Sequence, residues 1–319
     1  MTLIGQKVNV VARQTAFSRG AFYIILAVIF WGSSASLAKY LFITRYDPLI
    51  ITQTRSSLSF VLLAAYFLIA NRAVFRVQLR DLYKFALIGV FGIACTNFTY
   101  YFTVKESTVA TAILIQNTAP VLVMIFAVAV SKEEEFNVIK TLSLLFALGG
   151  CYLAVSGGRL KDIRLSGWAL LTGPASMLTY AFMLLASKWV LRDCPVWTML
   201  VNALGFATLF WLVINPPWAI AAKGYTPEDW GIFWLFAIVS ILIPYVFFIN
   251  GLKLLEATTA GIITTLEPVV AIVVAYFALG ETLTGIQILG AVAVVGAILL
   301  LQVRREHFRR LNRGEKNAK

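Results

Sequence analysis

Long apolar stretches separated by short polar loops run through almost the whole chain. Each stretch is about as long as the ~20 mostly apolar residues that a helix needs to cross a bilayer. The pattern therefore predicts an all-α polytopic membrane protein with ten transmembrane helices. The predicted helices are 21–42, 49–70, 83–103, 108–131, 136–156, 166–188, 195–214, 230–250, 258–280 and 283–303.

Composition and charge support this prediction and orient it. Hydrophobic residues make up 60% of the chain and charged residues 13%, which does not suit a protein with a polar surface. Lys and Arg cluster in both terminal tails and in the loop after the second helix, and basic loops stay in the cytoplasm. The loop holding Arg159, Lys161 and Arg164 is an exception. We expect both termini to be cytoplasmic, in the cytoplasmic (inner) membrane, and the net charge of +12 to suit anionic lipid and not nucleic acid.

Two stretches of the chain, 148 residues apart, have similar sequences. Each half would hold five helices, an odd number, so the second half must enter the membrane from the opposite side. We therefore predict two inverted five-helix repeats. Four pairs match without a gap: Lys105 with Lys253, Ala112 with Ala260, Pro120 with Pro268, and Glu133 with Glu281. The predicted organisation is a cytoplasmic tail 1–19, a first repeat 20–157, a connecting loop 158–165, a second repeat 166–303 and a basic cytoplasmic tail 304–319.

The repeated segments resemble a known family. TVATAILIQNTAPVLVMIFAVAVSKE in the first half and TTAGIITTLEPVVAIVVAYFALGETLTGIQILGAVAVVGAIL in the second resemble the paired signature of EamA transporters in the drug/metabolite transporter superfamily. FWGSSASLAKY and Arg55 fit the same pattern. The resemblance implies a central cavity lined mainly by helices one, three, four, six, eight and nine, with the fifth and tenth peripheral. Family members export amino acids, nucleosides, vitamins and xenobiotics. The chain departs from the pattern at Ala119, which stands where the second half has Glu267.

Pro120 and Pro268 are predicted to break their helices near mid-membrane, because proline removes a helical hydrogen bond and clashes with the preceding turn. Backbone groups freed at such breaks can bind a polar substrate. A packing kink satisfied by neighbouring threonines explains the prolines equally well.

Two charged residues inside the predicted helices need an explanation, since charge in a bilayer is costly. Burial favours the neutral form of the Glu267 carboxyl and makes it our candidate for proton coupling; the alternative is a structural contact with a helix end or with Arg55. For Arg55 we expect chiefly snorkelling to the outer headgroups, then structural pairing, with substrate contact last.

Other polar and aromatic side chains inside the predicted helices are candidates for lining a substrate cavity. Trp31 and Tyr180 match across the halves and could stack on a substrate from two sides, or pack against lipid and other helices. The full set of cavity candidates is Trp31, Thr96, Asn97, Tyr101, Gln116, Asn117, Tyr180, Tyr245, Asn250, Thr264 and Thr265.

We expect a secondary-active transporter that exports a small metabolite by alternating access. A metabolite or ion channel, or an uptake carrier of the same fold, is the alternative. An enzyme is disfavoured, because the predicted helices hold neither a metal-binding set nor a Ser/His pair, and we expect no metal or cofactor. Ala293 and Ala297 are spaced for close helix contact, either internal or in a homodimer.

Overall fold

The computed structural model describes residues 15–34, 46–159, 167–280 and 282–317. These residues form helices and connecting turns, without a β-strand among them. Lys161, Arg164, Glu281 and most of the connecting loop 158–165 lie outside the described residues. So does the end of the first predicted helix, residues 35–42.

Ten long helical segments follow one another along the chain. Nine of those described are long and apolar enough to cross a membrane, and the apolar part of the last, Gly285–Leu301, is shorter. Short helices at Arg72–Phe75 and Pro217–Ala221 lie in the connections. The ten segments are α1 Thr15–Ser34, α2 Pro48–Ala70, α3 Leu79–Glu106, α4 Val109–Val130, α5 Val138–Ser156, α6 Ala169–Val190, α7 Val196–Ile214, α8 Pro227–Leu254, α9 Ala257–Phe277 and α10 Gly285–Asn317.

The helix starts follow local capping chemistry. The Asp47 carboxylate accepts a hydrogen bond from the Leu49 backbone N–H at 2.8 Å, at the start of α2. Asn137 caps α5 in the same way, and Thr226 with Asp229 forms a capping box at α8. Such caps satisfy N–H groups that have no partner inside the helix. The described part of α1 is already helical at Thr15, before the predicted helix start at residue 21.

Three helices contain π-helical turns, which the sequence does not predict. They span Ile88–Ala94 in α3, Phe126–Val130 in α4 and Ile238–Leu242 in α8. The π segments of α3 and α8 end at equivalent positions of the two halves. Wide turns of this kind are rare and are often found near functional sites.

Equivalent helices of the two halves pack against each other. These pairs are α2 with α7, α4 with α9, and α5 with α10. The backbones of α5 and α10 approach closely, since a Cβ on Gly290 would lie 2.3 Å from the Ala154 backbone nitrogen. Only glycine fits such a contact. Ala297 is buried in the same interface beside Leu144 and Ala147, so its small size serves an internal contact.

The outside of the bundle is apolar. Side chains such as Ile69, Leu145 and Phe277 are exposed on it. A soluble monomer rarely exposes so much apolar surface, whereas lipid accommodates it. The polar side chains of the central cavity described below instead point into the bundle, as expected for a membrane protein.

Candidate functional site

A polar cavity of about 60 Å³ lies inside the bundle, between the two halves. This volume holds a few water molecules, so the cavity is tight in this structure. Side chains from α1, α2, α3 and α4 of the first half meet side chains from α6, α8 and α9 of the second. The cavity is lined by Trp31, Ser34, Arg55, Thr96, Asn97, Tyr100, Tyr101, Gln116, Tyr180, Met183, Tyr245 and Glu267.

Most of the predicted site residues meet at this cavity. Glu267 and seven of the cavity candidates, namely Trp31, Thr96, Asn97, Tyr101, Gln116, Tyr180 and Tyr245, line it. The other four candidates, Asn117, Asn250, Thr264 and Thr265, do not. Each of these four donates its side-chain hydrogen bond to a carbonyl of its own helix, over 2.7 to 2.9 Å. Ser34 and Met183 also line the cavity, and neither carries a sequence signal that separates it from its neighbours.

Arg55 is buried, with 4% of its surface exposed, which contradicts the expected snorkelling to the headgroups. Its Nη1 donates to the Tyr101 hydroxyl at 2.6 Å, and its Nη2 donates to the Asn97 side-chain oxygen. The guanidinium carbon also lies 4.4 Å from the centre of the Tyr101 ring. The side chain points inward because Thr52, Ser56 and Ser59 share its buried helix face, so that polar groups and not lipid surround it.

Asn97 connects Arg55 to the second half of the protein. Its side-chain nitrogen donates to the Ile93 carbonyl at 2.7 Å and to the Tyr245 hydroxyl at 3.3 Å. Asn97 and Tyr245 are 148 residues apart, which is the offset of the repeat. Two equivalent residues, one from each half, therefore touch at the cavity.

Both predicted helix breaks coincide with turns in the structure. α4 is interrupted at Asn117 and Thr118, and α9 at Thr265 and Leu266. Each proline lies in the first turn of the helix that follows, where its missing N–H costs nothing. Tight backbone bonds such as Leu266 N–H to the Ile263 carbonyl, at 3.1 Å, close the turn.

Glu267 opens the second part of α9 and lines the cavity there. A carboxylate in the first turn of a helix is favoured by the helix dipole. α1 passes close by, since a Cβ on Gly32 would lie 2.8 Å from the Glu267 carbonyl oxygen. Both Glu267 and Arg55 face the cavity, yet no ion pair joins them in the part of the chain that the structure describes.

Trp31 and Tyr180 contribute aromatic surface to the cavity from α1 and α6. The Trp31 ring meets the Tyr245 ring edge-on, with centroids 5.6 Å apart, and also packs on Phe248. Tyr180 is 7% exposed. The two side chains thus lie inside the bundle and not at its lipid surface.

A second cavity, of about 340 Å³, opens beside a cluster of charged residues. We call this the ionic cluster: Glu133, Glu134, Lys140, Arg192 and Glu256. The Lys140 ammonium, 1% exposed, lies 2.8 Å from Glu134 and 2.9 Å from Glu256. Arg192 pairs with Glu133. The Glu134 carboxylate also accepts the Thr258 backbone N–H at 3.1 Å, so the cluster ties the α4–α5 turn to the start of α9.

Comparison with known proteins places this architecture in a family. The model of the EamA-like transporter family matches residues 18–156 and 167–303. The chain belongs to the EamA-like transporter family. Two repeats of the EamA type thus account for nearly all of the described helices, and the protein is a multi-pass membrane transporter.

Named relatives of the EamA chain are similar over most of their length. The threonine/homoserine exporter RhtA of Salmonella typhimurium LT2 is 28% identical over 283 residues, which cover 86% of this chain and 88% of the exporter. The uncharacterized inner membrane transporter YicL of the same organism is 21% identical, over 89% of this chain and 95% of YicL. The uncharacterized transporter YyaM of Bacillus subtilis is 24% identical, over 85% and 89%.

A solved crystal structure shares the fold. It superposes with a TM-score of 0.73 at 17% sequence identity and covers 91% of this chain and 99% of the other. At this identity the likeness concerns the fold alone.

Proposed function

We propose that this EamA protein is a secondary-active transporter that exports a small metabolite from the cytoplasm by alternating access. The observation that carries the proposal is the polar cavity with Arg55 and Glu267, which lies between the two halves of a bundle whose outside is apolar. Transporters built from repeats hold their substrate at such an interface. The substrate would contact the cavity-lining candidates, above all Asn97, Tyr101 and Tyr245.

We further propose that the ten helices all cross the membrane as two inverted repeats, with both termini cytoplasmic. The packing of α5 on α10 supports this. Gly150 lies near Val294, whereas Ala154 lies near Gly290, so the two equivalent helices run antiparallel. The short apolar part of α10 can span by local thinning of the bilayer. The basic tails favour the cytoplasmic side.

The named exporter among the relatives supports export of a small metabolite such as an amino acid. A transport screen in proteoliposomes tests the proposal directly. Purified protein is reconstituted, and amino acids, nucleosides and vitamins are offered as labelled substrates. Saturable flux with counterflow is expected of a carrier. Single-channel currents would instead identify a channel, and absence of flux for every compound would overturn the transporter proposal.

Glu267 is the proposed proton-coupling residue, and its test is a pH-jump experiment. We expect Glu267→Gln to abolish flux driven by a pH gradient and to preserve substrate exchange, because the amide cannot take up or release a proton. Glu228→Gln is the matched control, since Glu228 also lies in the first turn of a helix but is exposed. Wild-type pH-driven flux in Glu267→Gln would show that coupling lies elsewhere.

A further inference from the structure

Arg55 has hydrogen-bonding capacity that the described residues leave unused. A guanidinium carries five N–H donors in a planar fork. Nη1 and Nη2 each have one neutral partner, Tyr101 and Asn97, while the buried Nε has no hydrogen-bond partner among the described residues. Buried polar groups of native proteins are nearly always satisfied. Arg55 can therefore donate to a further acceptor, which the described residues do not provide.

A second unsatisfied group lies on the same cavity. The Thr96 hydroxyl is buried and has no partner within the described part of the chain, and Thr96 precedes Asn97 in α3. The cavity thus presents the Arg55 guanidinium and the Thr96 hydroxyl as hydrogen-bond donors. No carboxylate of the described residues pairs with the guanidinium. Such a donor arrangement suits a carboxylate, which arginine binds through two parallel hydrogen bonds.

Neighbouring side chains hold the guanidinium plane of Arg55 in one orientation. Tyr101 and Asn97 hold two of its nitrogens, and its central carbon lies 4.4 Å from the Tyr101 ring centre and 5.7 Å from that of Phe236. A guanidinium that is already ordered loses little conformational entropy when a ligand binds to it. This arrangement favours selective recognition over a purely structural role.

We propose that Arg55 is the residue that binds a carboxylate group of the transported molecule. The substrate would then be an amino carboxylic acid, whose cationic group faces the Glu267 side of the cavity. A ligand with one negative and one positive group matches a guanidinium and a carboxyl group that line one cavity, without an ion pair between them among the described residues. This proposal rests on the transporter function proposed above. It adds the chemical class of the substrate and the residue that binds the carboxylate of the substrate.

The first test compares matched ligands in counterflow assays on proteoliposomes. The twenty proteinogenic amino acids are screened, and each one transported is compared with its decarboxylated amine and its deaminated acid. For threonine these probes are 1-amino-2-propanol and 3-hydroxybutyrate. We expect one or more amino acids to exchange and both analogues to fail. Transport of nucleosides or vitamins with no exchange of any amino acid would overturn the inference and leave the transporter proposal intact.

The second test uses an isosteric variant that keeps the fold. Asn97→Asp would place a carboxylate of the protein beside Nη2 of Arg55. This carboxylate would form an ion pair with the guanidinium and would compete with the carboxylate of the substrate. We expect KM for the amino acid to rise at least about tenfold, with thermal stability in detergent unchanged or raised. Asn97→Ala is the comparison, because it removes the Asn97 side chain without placing a carboxylate on Arg55, and we expect it to raise KM less than Asn97→Asp does. A KM in Asn97→Asp that is unchanged, or raised no more than in Asn97→Ala, would contradict the proposal.

Substitution of Arg55 itself completes the series. Arg55→Gln should lose amino acid exchange, and Arg55→Lys should recover part of it, because lysine keeps the charge but not the fork. Arg192→Gln is the control, since Arg192 is an exposed arginine of the ionic cluster. Equal exchange by Arg55→Gln and wild-type protein would refute the assignment.

Discussion

Arg55 and Lys140 are both buried cations in this bundle, yet their surroundings are opposite. Lys140 is 1% exposed and contacts two carboxylates, Glu134 and Glu256. Arg55 is 4% exposed and contacts only neutral groups, with one nitrogen unsatisfied among the described residues. A buried charge that serves the fold is paired inside the fold. Among the described residues no carboxylate pairs with Arg55, and this difference favours the proposed binding role over a purely structural one.

The largest effect on stability is expected at Lys140. Lys140→Met leaves the Glu134 carboxylate buried without its cation, which typically costs about 3–5 kcal/mol. Thermal unfolding of the purified protein in detergent measures the loss. The double variant Lys140→Met with Glu134→Gln should regain most of it, because both charges are then gone. Equal stability of the single and double variants would mean that the pair does not hold this end of the bundle together.

A smaller effect is expected at Arg55. Arg55→Met removes a cation that has no carboxylate partner in the described part of the chain, so the hydrogen bonds to Asn97 and Tyr101 are lost, at about 1–3 kcal/mol. The same unfolding measurement applies. A loss of stability as large as that of Lys140→Met would indicate that Arg55 is paired with a carboxylate in solution. The contrast between the two cations would then be removed.

The smallest effect is expected at the exposed pair of Arg192 and Glu133, whose side chains are 44% and 39% exposed. Glu133→Gln should change the free energy of unfolding by about 0–1 kcal/mol, because solvent screens such pairs. High salt should remove even this difference. An effect above that range would show that the pair acts together with its buried neighbour Glu134.

Much of this architecture could be predicted from the sequence. Apolar runs located the helices, and Pro120 and Pro268 located the turns inside α4 and α9, because proline limits the backbone whatever surrounds it. The polar positions of α3 likewise predicted Thr96, Asn97 and Tyr101 at a common cavity.

The direction of individual side chains was harder to predict. Asn117, Thr264 and Thr265 are polar and mid-helix, and like Asn97 they donate to a carbonyl of their own helix. Only Asn97 also lines the cavity, and packing between helices decides this difference. Arg55 carried a usable signal, because Thr52, Ser56 and Ser59 repeat at helical spacing around it. No sequence signal indicated the π-helical turns, since these turns depend on contacts between helices.

The contact between Asn97 and Tyr245 has a mechanical consequence. Under the inverted-repeat organisation proposed above, equivalent residues can touch only near the axis that relates the two halves, so this axis would pass through the cavity beside Arg55. If the halves exchange their conformations as proposed, points on the axis would move least, and points far from it would move most. The hydrogen bond of 3.3 Å between these two side chains would then be a pivot that can persist throughout the transport cycle, around which the rest of the protein rocks.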